Sequence, residues 1–114
     1  MTDLMIELER IKTDLITSMK QLRQHGEELA QKENDYQRAK AETVLKMKSE
    51  GCTMTEIQLS IKGRPEVAPK LLDRDVAKSM YDANMEHINV TKLWLRLLEN
   101  QISREWNATG QGGM

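Results

Sequence analysis

Apolar residues recur every three or four positions along two long stretches of the chain, from Leu4 to Met47 and from Leu72 to Trp106. The first repeat passes through Leu4, Leu8, Ile11, Leu15, Met19 and Leu22, and the second through Leu72, Val76, Met80, Ala83, His87, Val90, Trp94 and Leu97. Residues at this spacing share one side of an α-helix. Two such helices joined by a short break predict an all-α fold, a long antiparallel helical hairpin of coiled-coil type.

Helix 1 is predicted from about residue 2 to about residue 50. Gly51 suits its end, because glycine adopts the left-handed conformation without a Cβ penalty. The apolar repeat weakens at His25 and Gly26, and Glu33 occupies a position where an apolar residue is expected. Glycine inside a helix costs about 1 kcal/mol relative to alanine. Gly26 therefore indicates either a bend or break in the helix or the close approach of a neighbouring helix.

The segment after helix 1 predicts a short helix and a turn before the second long helix. Thr53 and Glu56 have the spacing of a capping box, in which each side chain accepts a hydrogen bond from the other residue's amide. This box starts a short helix at about 54–62, at the tip of the hairpin, and helix 3 follows at about 66–106. The glycine-rich residues 107–114 are predicted to form a flexible tail.

The lengths of the two long helices set a predicted register for the hairpin. If helix 1 ends near residue 50 and helix 3 begins near residue 70, the numbers of facing residues add up to about 120. Tyr36 would then face Asn84, and Leu22 would face Leu98. The residues before Lys12 would have no partner within the chain, although several of them are strongly apolar.

Helix 3 carries more apolar surface than one partner helix can cover, since a second stripe of apolar residues lies beside the first. A helix that is apolar on most of its circumference must be buried on two sides. We therefore expect self-association into an intermolecular helix bundle, with a homodimer favoured because twofold dimers are the commonest assembly. The residues predicted to take part are Leu4, Met5, Leu8, Ile11, Ile88, Leu95, Leu98, Ile102 and Trp106. The alternative is a three-helix monomer, formed if helix 1 breaks at Gly26 and folds back.

The composition fits one domain, at residues 1–106, with an aliphatic core, because 31% of the 114 residues are charged and none is phenylalanine. The single cysteine, Cys52, excludes an internal disulfide and fits a reducing compartment. No apolar run approaches the roughly 20 residues that span a bilayer, and the acidic N-terminus lacks the apolar stretch of a secretory signal. We expect a soluble protein of the cytoplasm without a membrane partner.

The sequence offers no constellation of catalytic or metal-binding residues. Two histidines, His25 and His87, lie on or beside the helical stripes, and the predicted register does not bring them together. A metal site needs three or four convergent ligands, and none is indicated. The acidic run at 27–35 is expected to be solvated, and Cys52 is more readily explained as a small apolar residue than as a reactive thiol. We therefore expect neither enzyme activity nor a cofactor.

Basic residues cluster around the predicted tip of the hairpin. Between residues 38 and 78, nine basic and six acidic side chains give a net charge of +3, although the whole chain carries −1. The candidates for contact with nucleic-acid phosphates or with a partner protein are Lys46, Lys48, Lys62, Arg64, Lys70, Arg74 and Lys78. A dedicated nucleic-acid binder is usually far more basic. The segment 51–68 resembles the start of a helix-turn-helix only superficially, because no third helix completes that motif.

The second half of the chain carries a distinctive run of residues. The run comprises Arg74, Asp75, Val76, Ala77, Tyr81, Ala83, Ile88, Asn89, Val90, Lys92, Leu93, Leu95, Arg96 and the segment from Leu98 to Trp106. These residues carry a resemblance that covers the chain from about Lys40 to Trp106. This part of the chain resembles small helical proteins of tailed phages and prophages, which look like products of replication and recombination regions. The resemblance implies an accessory role in phage DNA metabolism or in managing host functions, in the cytoplasm of the host cell. It supplies no site residues.

The sequence supports three hypotheses for function. The first is a non-enzymatic accessory protein that self-associates and binds a protein partner, such as a replication, recombination or host factor, because helix 3 has excess apolar surface. The second is an accessory nucleic-acid-binding protein that uses the basic tip. The third is a structural coiled-coil scaffold.

Overall fold

The computed structural model describes residues 2–112 and confirms an all-α fold for them. Helix α1 spans Thr2–Ser49, helix α2 spans Met54–Ser60, a 3₁₀ turn follows at Ile61–Gly63, and helix α3 spans Ala68–Gly112. No strand occurs within residues 2–112. None of the helices in this part of the chain is both long and apolar enough to cross a lipid bilayer.

Helix α1 is continuous through Gly26, so the three-helix alternative, which requires a break there, is wrong. A Cβ added at Gly26 would lie 3.5 Å from Cε2 of Tyr81, an ordinary van der Waals distance. The backbone there is helical, and the cost of about 1 kcal/mol for glycine is too small to interrupt a helix of 48 residues. Neither a break nor an unusually close helix approach therefore accounts for this glycine.

The connection after α1 begins with the predicted end signals. Gly51 has φ of 87°, the left-handed conformation, and the amide of Cys52 donates to the carbonyl oxygen of Met47 at 3.0 Å. The capping box is confirmed, because the amide of Glu56 donates to Thr53 Oγ1 at 3.2 Å and the amide of Thr53 donates to Glu56 Oε2 at 2.9 Å. The helix that follows ends at Ser60, about two residues earlier than predicted, and tightens into the 3₁₀ turn.

Helix α3 continues to Gly112 rather than ending near Trp106. Residues 107–112 contain no proline, so every residue there can donate the backbone hydrogen bond that extends a helix. Their glycines weaken the helix by about 1 kcal/mol each without forbidding it. The predicted flexibility of 107–114 stays a prediction, and residues 113 and 114 lie outside the described part.

The chain divides into two compact units, which we call the terminal unit (residues 2–23 and 83–112) and the connector unit (residues 24–82). The core of the connector unit consists of Tyr36, Met47, Ile57, Ile61 and Val67. Tyr36 and Met47 are separated by about 16 Å along α1. Because α2 and the 3₁₀ turn contribute to a core of that length, they pack along the last turns of α1.

This packing changes the register of the long helices from the predicted one. In the connector unit, Nη1 of Arg74 donates to Oε2 of Glu33 at 2.8 Å, so facing residue numbers add up to about 107 rather than 120. In the terminal unit, Nδ2 of Asn84 donates to the carbonyl oxygen of Ser18 at 3.0 Å. The predicted pairings of Tyr36 with Asn84 and of Leu22 with Leu98 are therefore wrong. The connector occupies the length of α1 that the prediction had assigned to α3.

The corrected register also gives the start of α1 a partner within the chain. Leu8 is buried and lines a groove with Ile102 and Trp106 of α3. The prediction that residues before Lys12 lack an intramolecular partner is wrong for this reason. The apolar start of α1 is thus not by itself evidence of self-association.

Candidate functional site

The side of α3 that faces α1 is not the stripe that the hydrophobic pattern favoured. In the terminal unit the inward positions of α3 are Asn84, Ile88, Thr91, Leu95, Leu98 and Ile102. The predicted inward stripe instead lies outside, and we call its terminal-unit members the outer stripe: Ala83, His87, Val90, Trp94 and Leu97. Four of the residues predicted to mediate self-association, Ile88, Leu95, Leu98 and Ile102, therefore contribute to the chain's own helix pair.

The outer stripe leaves large apolar side chains in water. Trp94 is 61% exposed and Leu97 is 52% exposed, and Val90, about one turn before Trp94, is also exposed on the same side of the helix. Two open grooves run beside this stripe, one lined by Ile11, Val90 and Trp94, and one lined by Leu4, Trp94 and Leu97. The arrangement presents an apolar ridge beside a trough whose lining is mainly apolar but includes Glu7, Asp14 and Arg104, a shape that suits another helix.

The interior of the same helix pair contains polar residues at positions where apolar ones are expected. Ser18, Asn84 and Thr91 are buried between the helices, and Met19, the predicted inward residue of α1, is exposed. Thr91 Oγ1 donates to the carbonyl oxygen of His87 at 2.7 Å, while Oδ1 of Asn84 is buried without a partner among the described residues. Polar side chains thus share the interior of the terminal unit with Leu8, Ile88 and Leu98, while Trp94, Leu97 and Trp106 lie on the outside.

A third groove in the terminal unit, which we call the Trp106 groove, is lined by Met5, Leu8, Ile102 and Trp106. Trp106 is 68% exposed and Met5 is also exposed, so these two of the predicted self-association residues do lie on the surface. Leu4 and Ile11 are half-buried between α1 and α3. The groove has little polar lining besides Glu99 and Ser103, and it could hold an apolar side chain of a partner.

In the connector unit, exposed apolar residues of α3 line a further groove. Leu72, Val76 and Met80 form one wall, and His25 with Lys32 contributes to the other. His25 and His87 belong to different units, and His87 Nε2 lies 3.1 Å from Asp14 Oδ2, where the pair is half exposed. No group of three or more histidine, cysteine or acidic side chains that could hold a metal ion occurs among the described residues.

The predicted basic tip is partly neutralised by acidic neighbours. Lys46 and Arg64 each lie 3.6 Å from Glu66, and Lys78 lies 2.8 Å from Asp82. The pKa of Glu66 is lowered by a backbone hydrogen bond and then by the charges of these two basic neighbours. Three candidates, Lys48, Lys62 and Lys70, form no ion pair with other residues in 2–112.

Arg74 is held in place on several sides rather than presented to solvent. Its guanidinium donates to Glu33 and to Asp75, at 2.8 Å each, and lies 5.1 Å from the centroid of the Tyr36 ring. The hydrogen bond to Glu33, followed by the one to Asp75, raises the pKa of Arg74. The pKa of Glu33 is lowered, first by the hydrogen bond from Gln37 and then by the one from Arg74. Arg74 and Glu33 therefore join α1 to α3 in the connector unit, which explains the acidic residue at a predicted apolar position.

Cys52 is half-buried against the connector core, next to the turn at Gly51. This environment agrees with its interpretation as a small apolar residue.

Sequence reasoning missed the polar residues in the interior of the terminal unit, although a signal for them exists. The positions 77, 81, 84, 88, 91, 95 and 98 are separated alternately by four and three residues, and this series passes through Asn84 and Thr91.

The chain matches no protein-family model, no curated protein and no solved structure.

Proposed function

We propose that this chain is a non-enzymatic accessory protein that self-associates and binds a protein partner through helical surfaces of its terminal unit. The observation that carries the proposal is the distribution of side chains there, with large apolar residues exposed and polar residues among the buried ones. Trp94, Leu97 and Trp106 lie outside, while Ser18 and Asn84 lie between the helices. A large exposed apolar surface on a helix pair indicates a surface for association.

Two helices whose interior is partly polar bury less apolar surface than two helices with a fully apolar interior. Stable helical bundles usually enclose their core among three or four helices, so that each helix buries a wide apolar stripe. In the terminal unit, one of the two stripes of α3 is used within the chain and the other is free. Association with further helices would bury the free stripe and enlarge the small apolar core of the pair.

The ionisable groups support a non-enzymatic role. Among the described residues, those with a clear pKa shift are Glu33, Glu66 and Arg74, and each shift is explained by hydrogen bonds and by opposite charges on the surface of the connector unit. Catalytic groups typically have their pKa shifted by burial in a cleft. Ion pairs of the kind present here fasten helices together, and they provide neither a nucleophile nor a general base.

Nucleic-acid binding through the basic tip is the alternative, and it has less support. Glu66, Glu33, Asp75 and Asp82 occupy several of the basic side chains that would have to contact phosphates. Charge reversal at the unpaired Lys48, Lys62 and Lys70 tests this alternative. If DNA binds and the affinity falls steeply with added salt and with these reversals, the tip is a nucleic-acid site. The phage context and the cytoplasm of a host cell rest on the sequence resemblance alone.

Tryptophan fluorescence tests self-association directly, because Trp94 and Trp106 are the two tryptophans and both are exposed in the single chain. Concentrating the protein should shift the emission maximum to shorter wavelength as an indole leaves water. Sedimentation over the same concentrations should show the mass increase. An emission maximum and a mass that stay those of an exposed monomer at every concentration would contradict self-association. A cross-linker placed at position 5 or 106, in place of Met5 or Trp106, would then identify a copurifying protein as the partner.

A further inference from the structure

We propose that copies of this chain associate front to back, with the outer side of one terminal unit packed on the reverse side of the terminal unit of the next copy. The outer side is the one that carries the outer stripe. The reverse side lies across the helix pair from it and carries the Trp106 groove. This inference rests on the proposed function, because it names the two surfaces through which the self-association takes place.

The two sides of the terminal unit carry opposite charges, since its charged side chains separate by helical position into two sets. With His87 counted as neutral, the outer side has four acidic and two basic residues, a net charge of −2: Asp3, Glu7, Asp14, Glu86, Arg10 and Arg104. The reverse side has four basic and two acidic residues, a net charge of +2: Lys12, Arg23, Lys92, Arg96, Glu9 and Glu99. Lys20 points away from α3, and Glu105 continues the inward row of α3, so these two belong to neither set. Each side of the unit therefore complements the other and repels a copy of itself.

Both sides also expose large apolar side chains. On the outer side these are Val90, Trp94 and Leu97. On the reverse side they are Met5, Ile16, Met19 and Trp106. A front-to-back contact removes apolar surface of both copies from water, so it has a hydrophobic contribution as well as an electrostatic one.

The charges favour this contact over a twofold dimer. In a twofold interface the same patch of both copies meets itself. The outer side would then set one charge of −2 against another, with Glu7 and Asp14 beside the apolar surface that becomes buried. A front-to-back contact instead sets −2 against +2, the arrangement of opposite potentials that selects partners at interfaces.

The size of the surface is sufficient for such a contact. No twofold axis fixes how far the two copies overlap, so a second terminal unit can lie along the whole length of the first. Residues 2–23 of α1 extend for about 33 Å beside α3, and two adjacent helices are about 20 Å wide. Each side therefore covers about 660 Å², and stable interfaces bury roughly 600–1,000 Å² per partner.

A front-to-back contact leaves one outer side and one reverse side free in every assembly that does not close into a ring. Contacts of this heterologous kind add further copies, whereas a twofold contact stops at the dimer. The mass of the wild-type assembly should therefore grow beyond that of a dimer as the protein is concentrated.

Two blocking variants and their mixture test this contact by sedimentation equilibrium. Leu97→Glu places a carboxylate in the apolar surface of the outer side, and Met19→Glu places one in that of the reverse side. Both positions are exposed in the single chain, so circular dichroism should show unchanged helix content. Every contact needs one side of each kind, so either variant alone should stay monomeric where the wild type assembles, a rise of about tenfold or more in the dissociation constant. An equimolar mixture should form a 1:1 complex that does not grow, because each variant retains the side that the other has lost.

Two further variants complete the design. Ile16→Glu blocks the reverse side at a second exposed position and replaces Met19→Glu if that variant loses helix content. Ile6→Glu adds the same charge at an exposed position of α1 that points away from α3, and it should assemble like the wild type. Added salt should weaken the wild-type assembly, because it screens the attraction between the two sides.

The outcomes separate this inference from the proposed function. Two monomeric variants that form a 1:1 complex on mixing support the front-to-back contact. If a reverse-side variant or Leu97→Glu assembles like the wild type, or if the mixture forms no complex, the inference is overturned and self-association stands through another contact. Assembly that added salt leaves unchanged or strengthens overturns the pairing of oppositely charged sides. A wild-type chain that stays monomeric overturns self-association itself, and the inference with it.

Discussion

Replacing Ile57 with alanine should destabilise the protein strongly, because this residue fastens the connector to α1. Ile57 is only 2% exposed and packs in the core with Tyr36, Met47 and Val67. The substitution removes three carbons, worth about 2.4 kcal/mol at roughly 0.8 kcal/mol per buried methylene. A residual cavity adds to this, and measured losses for isoleucine-to-alanine changes in cores are about 2–5 kcal/mol. We expect a loss of about 3 kcal/mol in the free energy of unfolding.

Leu59→Ala is the matched control. It removes the same number of carbons from the same short helix, but Leu59 is 84% exposed. The buried fraction is about one sixth, so the transfer cost is about 0.4 kcal/mol. The slightly better helix propensity of alanine offsets part of that cost. We expect this variant to unfold within about 0.5 kcal/mol of the wild type.

Urea denaturation followed by circular dichroism measures both variants. All samples must have one protein concentration, because association would make the apparent stability depend on it. A loss below about 1 kcal/mol for Ile57→Ala, or an equal loss for Leu59→Ala, would refute the packing of the connector along α1. The corrected register would then lose its explanation.

Three further changes have defined outcomes. Asn84→Leu removes a buried oxygen without a partner and should raise the urea midpoint, by about 1 kcal/mol in stability. Glu33 has a pKa below its ordinary 4.5, so the stability that its carboxylate contributes is present at neutral pH and is lost as pH falls below that value. Glu33→Gln should therefore make the urea midpoint fall less steeply on the acid side of a plot against pH. Gly51→Ala, at φ of 87°, should lower the thermal midpoint, with a cost of about 1–2 kcal/mol.

The local features of the fold could be predicted from sequence because each depends on neighbouring residues. The three-and-four spacing identified both long helices, and the inward positions Leu4, Leu8, Ile11 and Leu15 of α1. The capping box at Thr53 located the short helix, because its hydrogen bonds join residues only three apart.

The register and the inward side of α3 could not be predicted in the same way. Helix α3 has two stripes with nearly the same spacing, so the hydrophobic period alone does not decide which one meets α1. The choice depends on the packing of Ile57, Ile61 and Val67 along α1, a tertiary contact between distant parts of the chain. Since the candidate site is the stripe left outside, an error in the register moved the predicted site onto buried residues such as Ile88 and Leu98.

Sedimentation equilibrium of the wild-type chain beside Leu97→Glu tests the central claim most directly. Ile6→Glu is the control, because Ile6 is also exposed but lies two residues from buried Leu8, on the far side of α1. The account predicts a dimer or a larger assembly for the wild type and for Ile6→Glu, and a monomer with unchanged helix content for Leu97→Glu. A wild-type monomer over roughly a thousandfold range of concentration, or an assembly that tolerates the charge at residue 97, would contradict it.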